Sequence, residues 1–210
     1  MTGVWRSPPG WPGRPAAGVR AARWVRMVDE RIEVVRHEDL SRTRLEQLQV
    51  LFDHEYLDDH GPWTPDAPYG YSPADVHVLV THGSELAAHA GFQRRVIAVG
   101  VHDVAVGGTG GVLVSERARG GGLGGRLMSR LARTMRSTAG VEYGYLGCRP
   151  EVAPFYASSG WRPVAADERS RSRRDGTVVV TTDDPILILP VTRAVSAWPA
   201  GVIDLRGTPW

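Results

Sequence analysis

Lysine is absent from this chain. All 25 basic residues among its 210 are arginine. Without lysine there is no Walker A phosphate-binding lysine and no amine for Schiff-base chemistry. Cysteine is almost as scarce. Cys148 stands alone, so neither an internal disulfide nor a cysteine-rich zinc site can form, and a reducing cytoplasm is the expected compartment. No unbroken apolar run approaches the roughly 20 residues of a membrane span, so no transmembrane helix and no membrane partner are expected. Acid is missing from one region only. Residues 1–28 hold Arg6, Arg14, Arg20, Arg23 and Arg26 with no Asp or Glu, a charge of +5; taking this from the chain's +2 leaves −3 for residues 29–210. The positive excess therefore belongs to the N-terminal segment. The remainder is mildly acidic, which argues against a nucleic-acid partner and permits a cationic substrate.

What is present reads as one globular domain. A hydrophobic share of 42% with 23% charged residues is ordinary for a folded chain of this size. Residues 1–28, rich in Pro, Gly, Ala and Arg, are predicted to be a disordered basic extension, with Met27 an alternative start; residues 29–210 are predicted to be the domain. Within it "RIEVVRH" (31–37) reads as a strand. Ser41 caps an amphipathic helix carrying Leu45, Leu48, Leu51 and Phe52 to about Tyr56. "VHVLV" (76–80) and "ELAAHAGFQRRVIAV" (85–99) form a strand pair, and "VHDVAVGGTGGVLV" (101–114) a further strand broken near Gly110-Gly111. Leu123, Leu127, Met128, Leu131 and Met135 share one face of a helix whose other face carries Arg126, Arg130, Arg133 and Arg136. "VEYGYLGC" (141–148), "WRPVA" (161–165) and "TVVVTTDDPILILPV" (177–191) supply more strand, "EVAPFYASSG" (151–160) a short helix, and "RSRSRRDG" (169–176) a charged loop. The fold class is mixed α/β with a largely antiparallel first half and no internal repeat.

The densest signal is "SERARGGGLGGRLMSRL" (115–131). A strand, a glycine-rich turn and a helix N-terminus make an anion site, because unpaired N–H groups and the helix dipole point at one place. Gly120, Gly122 and Gly125 also satisfy G-x-G-x-x-G. A dinucleotide fold, however, places that turn directly after its first strand, and here Ser115 to Arg119 intervene after an antiparallel region.

Val112-Leu113-Val114 followed by Arg119-Gly120-Gly121-Gly122-Leu123-Gly124 resembles the acetyl-CoA motif of the GNAT superfamily of N-acetyltransferases, Arg/Gln-x-x-Gly-x-Gly/Ala after a strand. Downstream, "APFYASSGWRPV" (153–164) resembles the family's second signature. The resemblance implies a GNAT fold, with a mostly antiparallel twisted sheet, flanking helices and a splay between strands 4 and 5. It implies acetyl-CoA as co-substrate, with no metal. Main chain of Val112, Leu113 and Val114 would pair with pantetheine, and N–H groups of Arg119, Gly120, Gly121, Gly122, Leu123, Gly124 and Gly125 would hold the pyrophosphate. The backbone N–H of Val112 becomes the donor to the thioester carbonyl, and Tyr156 the general acid for the departing thiolate. The arginines along 126–136 either approach the CoA 3′-phosphate or form a solvated face.

The general base stays open among Glu116, His89, His102, Asp183, Asp184 and a water relay. His89 alternates with apolar residues and reads first as a satisfied core histidine. "AAHAGFQRR", "YASSGW", "DGTVVV", two late aspartates and Trp210 resemble the aminoglycoside 2′-N-acetyltransferases, which implies Asp183, Asp184 and Trp210, with its terminal carboxylate, as the acceptor site. Those enzymes carry glutamate where this chain has Gly110. "LPVTRAVSAWPAGVIDLRG" (189–207) resembles the nodulation N-acyltransferases, which acylate the free amine of a chitin oligosaccharide. Both relatives modify an amino-sugar nitrogen, so a small-molecule amine is the expected acceptor. The alternatives are an N-acyltransferase using a longer acyl donor on an amino-sugar oligosaccharide and a catalytically silent acyl-CoA-binding module; "FDHEYLDDH" (52–60) adds acid beside the presumed acceptor cleft, and a homodimer is open.

Overall fold

The computed structural model describes residues 29–210; the basic extension expected at 1–28 lies outside the described residues. Ten strands form one sheet, with three α-helices, among those residues. The chain opens with β1 (Glu30–Arg36), which pairs antiparallel with β2 (Val76–His82). Between them runs α1 (Arg42–His60). Ser41 Oγ accepts the Arg44 N–H at 3.2 Å, as an N-cap should, and Gly61 at φ +75° ends the helix one turn beyond the expected Tyr56.

The frame of the molecule is the long hairpin of β3 (Glu85–Val99) and β4 (His102–Val114). The outer edge of β3 pairs with β2 over its first half and with the short β10 (Ile203–Asp204) at its end. After β4 comes α2 (Leu123–Ser137), its apolar face buried and its arginines outward. Next is β5 (Tyr143–Gly147), parallel to β4. A short α3 (Ala153–Ser158) leads to β6 (Arg162–Val164), and β9 (Ile186–Pro190) fits antiparallel between β5 and β6.

One expectation fails. Residues 169–176 were read as a charged loop, but Glu168–Arg171 form β7, parallel to β10 and antiparallel to β8 (Val178–Thr181). Only Ser172 to Gly176 turn. The segment looks like a loop because only Ser170, fully, and Glu168, largely, turn inward from β7. A strand at the margin of a sheet needs no apolar alternation.

The sheet divides the core. One face packs Val78, Phe92, Val112, Val114, Leu146 and Cys148 against α2 and against Tyr156 of α3. On the other, α1 covers Leu79, Leu86 and Leu113, and the C-terminal segment covers Tyr143, Tyr145, Val104 and Val106. No helix among the described residues is long and apolar enough to cross a membrane.

Candidate active site

Strands β4 and β5 hydrogen-bond only from Val106–Tyr143 to Gly108–Tyr145. Beyond Gly108 they diverge, which leaves Thr109 to Val114 unpaired on the β5 side. A bulge marks the place. Leu113 pairs with His89 but Gly110 with Gly91, so two residues of β4, Gly111 and Val112, oppose one of β3. Gly111 sits at φ +60°, and a Cβ there would meet the His89 ring at 3.0 Å. Glycine is required by conformation and by space.

The glycine loop follows directly. Gly120 and Gly122 have φ +84° and +74°. A Cβ built on Gly120, Gly121 or Gly125 meets no protein atom within 4 Å, so open space lies over the loop. Gly122 caps α2 without a side-chain hydrogen bond, so the first N–H groups of the helix have no capping side chain. Two arginines brace the turn from outside. Arg126 donates to the Gly121 carbonyl at 2.8 Å and grips Glu30 of β1 at 2.9 and 2.7 Å. Arg119 Nε donates to the Val114 carbonyl at 3.0 Å, while its Nη2 donates to Glu55 at 2.8 Å. These observations fit a diphosphate-bearing ligand: open space over the glycines, an uncapped helix end and a braced frame. Gly124 differs, because its Cβ would press on Phe155 at 3.0 Å, so it serves the contact between α2 and α3. The side chains of Leu113 and Leu123 are core, which leaves only their main chain for a ligand.

Tyr156 lies in the apolar cluster that also contains Val112, Val114, Leu146 and Cys148, the residues flanking the divergence. Burial foremost, then Cys148 and Tyr56, pushes its phenol above the usual tyrosine range, so the hydroxyl keeps its proton at neutral pH. Burial likewise pushes the Cys148 thiol up to about 12, which makes it inert as a nucleophile.

On the opposite face a cleft of about 480 Å³ reaches the divergence point. Tyr69, Tyr71, Tyr145 and Trp210 wall it, Thr109 lies at the β4 end, and Glu168, Asp175 and Asp184 bring carboxylates. Glu168 of β7 is the group that sequence reasoning missed. Tyr145 Oη donates to its Oε2 at 2.5 Å. Burial raises the Glu168 pKa; the tyrosine hydrogen bond opposes this and Asp184 reinforces it, for a net upward shift. It lies just before the stretch "RSRSRRDG" expected as a charged loop, and only the pairing of β7 with β10 carries the carboxylate inward.

The expected acceptor residues divide. Asp184 and Trp210 line the cleft, but Asp183 faces a separate open groove with Thr182 and Val202. Two of the acids of 52–60 are engaged elsewhere, Asp53 accepting from the Trp63 N–H at 2.7 Å and Glu55 holding Arg119, while Asp58 and Asp59 are exposed. Glu116 and His102 are exposed. Trp210 is held firmly, its indole N–H donating to Gln93 at 3.0 Å and its ring lying 4.1 Å beneath the Arg95 guanidinium. It lies directly over β4. A Cβ on Gly108 would overlap the indole, and one on Gly110 would come 2.7 Å from the Trp210 main-chain carbon. That contact is the physical reason a glutamate is missing at position 110.

The sequence matches the Nodulation protein A (NodA) family over residues 20–209. The chain belongs to the NodA family. A curated relative, Nodulation protein A of Bradyrhizobium sp. (strain NC92), is 28% identical over 166 residues, 74% of this chain and 75% of the relative. Among solved structures, this NodA-family chain is similar to the GNAT family N-acetyltransferase YhbS of Escherichia coli in complex with CoA, at TM-score 0.57 and 15% identity, covering 84% of this chain and 89% of that one. It is also similar to Escherichia coli ElaA, at TM-score 0.53 and 24% identity over 76% and 97% of the two chains. The fold is therefore that of GNAT-type N-acyltransferases, and this member of the NodA family is an acyltransferase.

Proposed function

We propose that the protein moves the acetyl group of acetyl-CoA onto the primary amine of an amino sugar. The observation that carries this reading is the aromatic cleft ending at the divergence of β4 and β5, with Glu168 in its wall. Aromatic rings offer flat apolar surfaces for the C–H faces of a sugar, and carboxylates offer partners for its ammonium group.

In this reading the loop 119–125 holds the diphosphate and the segment 112–114 aligns the pantetheine arm. Acetyl-CoA supplies an activated acyl group whose leaving thiolate is weakly basic. The chain's own residues do the rest. Glu168 takes the proton of the bound ammonium; its raised pKa makes it a better base than an exposed glutamate. Tyr145 stays protonated beside it and fixes the carboxylate. The Val112 N–H stabilises charge on the carbonyl oxygen as the nitrogen bonds the acyl carbon. As the C–S bond breaks, Tyr156 gives its proton to the departing thiolate and is reprotonated through solvent by the second proton that the nitrogen sheds. Asp184 and Trp210 hold the acceptor.

Family membership favours a second donor, a longer acyl chain delivered to a chitin-like oligosaccharide amine; the aminoglycoside resemblance favours a polycationic acceptor. One experiment separates the acceptors, and a longer-chain acyl-CoA run in parallel separates the donors. Thiol release from acetyl-CoA is followed with glucosamine, deacetylated chitin oligomers, an aminoglycoside and spermidine. Amino sugars are expected to accelerate it, and Glu168→Gln to lower kcat about 100-fold with the Kd for CoA unchanged. A response to spermidine alone, or full activity in the folded Glu168→Gln variant, overturns the proposal.

A further inference from the structure

Three histidines form a continuous row beneath the bulge of β4. His89 Nδ1 lies 2.7 Å from the Gly111 carbonyl oxygen. His89 Nε2 lies 2.9 Å from His77 Nδ1, and His77 Nε2 lies 3.1 Å from His37 Nδ1. The outer end is the half-buried His37, whose Nε2 is 3.4 Å from Asp66. The rings come from three elements: the turn just after β1, the start of β2 and the first half of β3.

The carbonyl decides the protons. A carbonyl only accepts, so His89 Nδ1 carries hydrogen; its neutral ring then accepts at Nε2, which requires His77 to donate from Nδ1. By the same step His37 donates from Nδ1 to His77 Nε2. All three bonds run in one direction and end on Gly111. Burial holds the inner rings neutral, His77 pushed down to about 2 with His89 and His37 adding to the effect, and His89 down to about 4 despite its bond to Gly111. Phe52 packs edge-on against His89 at 5.3 Å and is itself stacked on Trp63. Among the described residues no group of three or more His, Cys, Asp or Glu is placed to hold a metal ion, and these nitrogens are spent on one another.

Gly111 is the bulged residue. Its peptide to Val112 is trans, so the Gly111 carbonyl and the Val112 N–H point in opposite directions. We infer that the histidine row is a strut that fixes this peptide plane, with His89 the positioning residue that aims the Val112 N–H at the acyl carbonyl. Donation to the carbonyl also polarises the peptide and strengthens the N–H as a donor. The inference rests on the acyltransfer reading for the use of Val112. The orientation itself is a property of the free protein.

The test therefore has two arms. In the first, nitrogen-15 spectra of the histidine rings at neutral pH are expected to show hydrogen on Nδ1 and none on Nε2 for His77 and His89. Hydrogen on Nε2 of His89 overturns the row. In the second, His89→Asn keeps an N–H near the Nδ1 position, whereas His89→Gln and His89→Leu do not. The Gly111 carbonyl-carbon and Val112 amide-nitrogen signals are expected to move in the Gln and Leu variants and to return toward wild type in Asn. With acetyl-CoA and glucosamine, Gln and Leu should lower kcat about 10- to 100-fold, the scale of a misaimed oxyanion donor, and Asn should recover most of it. The Kd for CoA stays constant throughout. Equal loss in Asn and Gln means the row carries protons rather than orientation, and overturns the inference. If Leu does not fold, Asn against Gln decides. If the wild type releases no thiol with any amine, the acyltransfer reading falls, and the spectra alone uphold or overturn the orientation of Gly111–Val112.

Discussion

In the proposed mechanism Tyr156 is the proton donor, and burial decides how it behaves. Among Val112, Leu146 and Cys148 the phenol keeps its proton and meets little competition from solvent, though burial also makes it a weaker acid than an exposed phenol. Tyr156→Phe removes the proton and retains nearly all the packing, so kcat should fall about 100-fold while the KM for acetyl-CoA barely moves. Steady-state thiol release checks this. A mutant that loses stability but keeps kcat would make the hydroxyl a packing group. The placement of Tyr156 was readable in the sequence because its signature is local, "FYASSGW", a turn of helix followed by a glycine and an aromatic. Glu168 was not. Its burial follows from a strand pairing with residues some 35 positions away in the chain, and nothing in its polar neighbourhood signals that. The histidine row was hidden for the same reason, although the alternation around His89 correctly marked it as a core residue with its bonds satisfied.

Among the elements, those with a strong period were legible. β3 falls on residues 85–99 as expected, and α2 ends within a residue of the expected helix, because alternation and a 3.6-residue stripe each report one buried face. The C-terminal segment carries no such period, yet it builds one wall of the cleft. It is tied down residue by residue. Arg95 donates to the Leu205 and Thr208 carbonyls at 3.2 and 2.8 Å, Ser72 N–H donates to the Pro209 carbonyl at 2.9 Å, and Gly108 and Gly110 leave room for Trp210. Gly110→Ala tests that arrangement. The added methyl would sit 2.7 Å from a main-chain carbon, and backbone cannot rotate away as a side chain can. The variant should lose about 1–3 kcal/mol of stability, as overpacking does, and the acceptor KM should rise while the Kd for CoA stays unchanged. Urea unfolding measures the stability, steady-state thiol release the KM, and calorimetry the Kd. An unchanged acceptor KM in a destabilised protein would detach Trp210 from the acceptor site.

At the scale of the whole molecule, neutral histidines in the interior make stability depend on pH in one direction. An unfolded histidine titrates near 6.5; in the fold His77 and His89 are pushed down to about 2 and about 4, chiefly by burial. Above pH 6.5 both rings are neutral in both states, and pH has no leverage through them. As pH falls below 6.5 the unfolded chain takes up protons that the folded chain refuses, so each ring removes about 1.4 kcal/mol of stability per pH unit. For His89 the loss levels off near pH 4, where its folded form begins to titrate. At pH 5 the pair together removes about 4 kcal/mol, a large part of the roughly 5–15 kcal/mol that holds a domain of this kind. Glu168 acts against this trend, because a carboxyl whose folded pKa is raised favours the fold as it becomes protonated. Urea denaturation at pH 7.5 and pH 5 should therefore show a clear drop in midpoint with an unchanged slope. Replacing both inner histidines by asparagine should flatten the dependence between those two values even if it lowers stability at pH 7.5. A midpoint that holds steady from pH 7.5 to 5 both in the wild type and in Glu168→Gln, where the opposing carboxyl is gone, would mean the inner rings accept protons inside the fold and would overturn the one-directional row ending on Gly111.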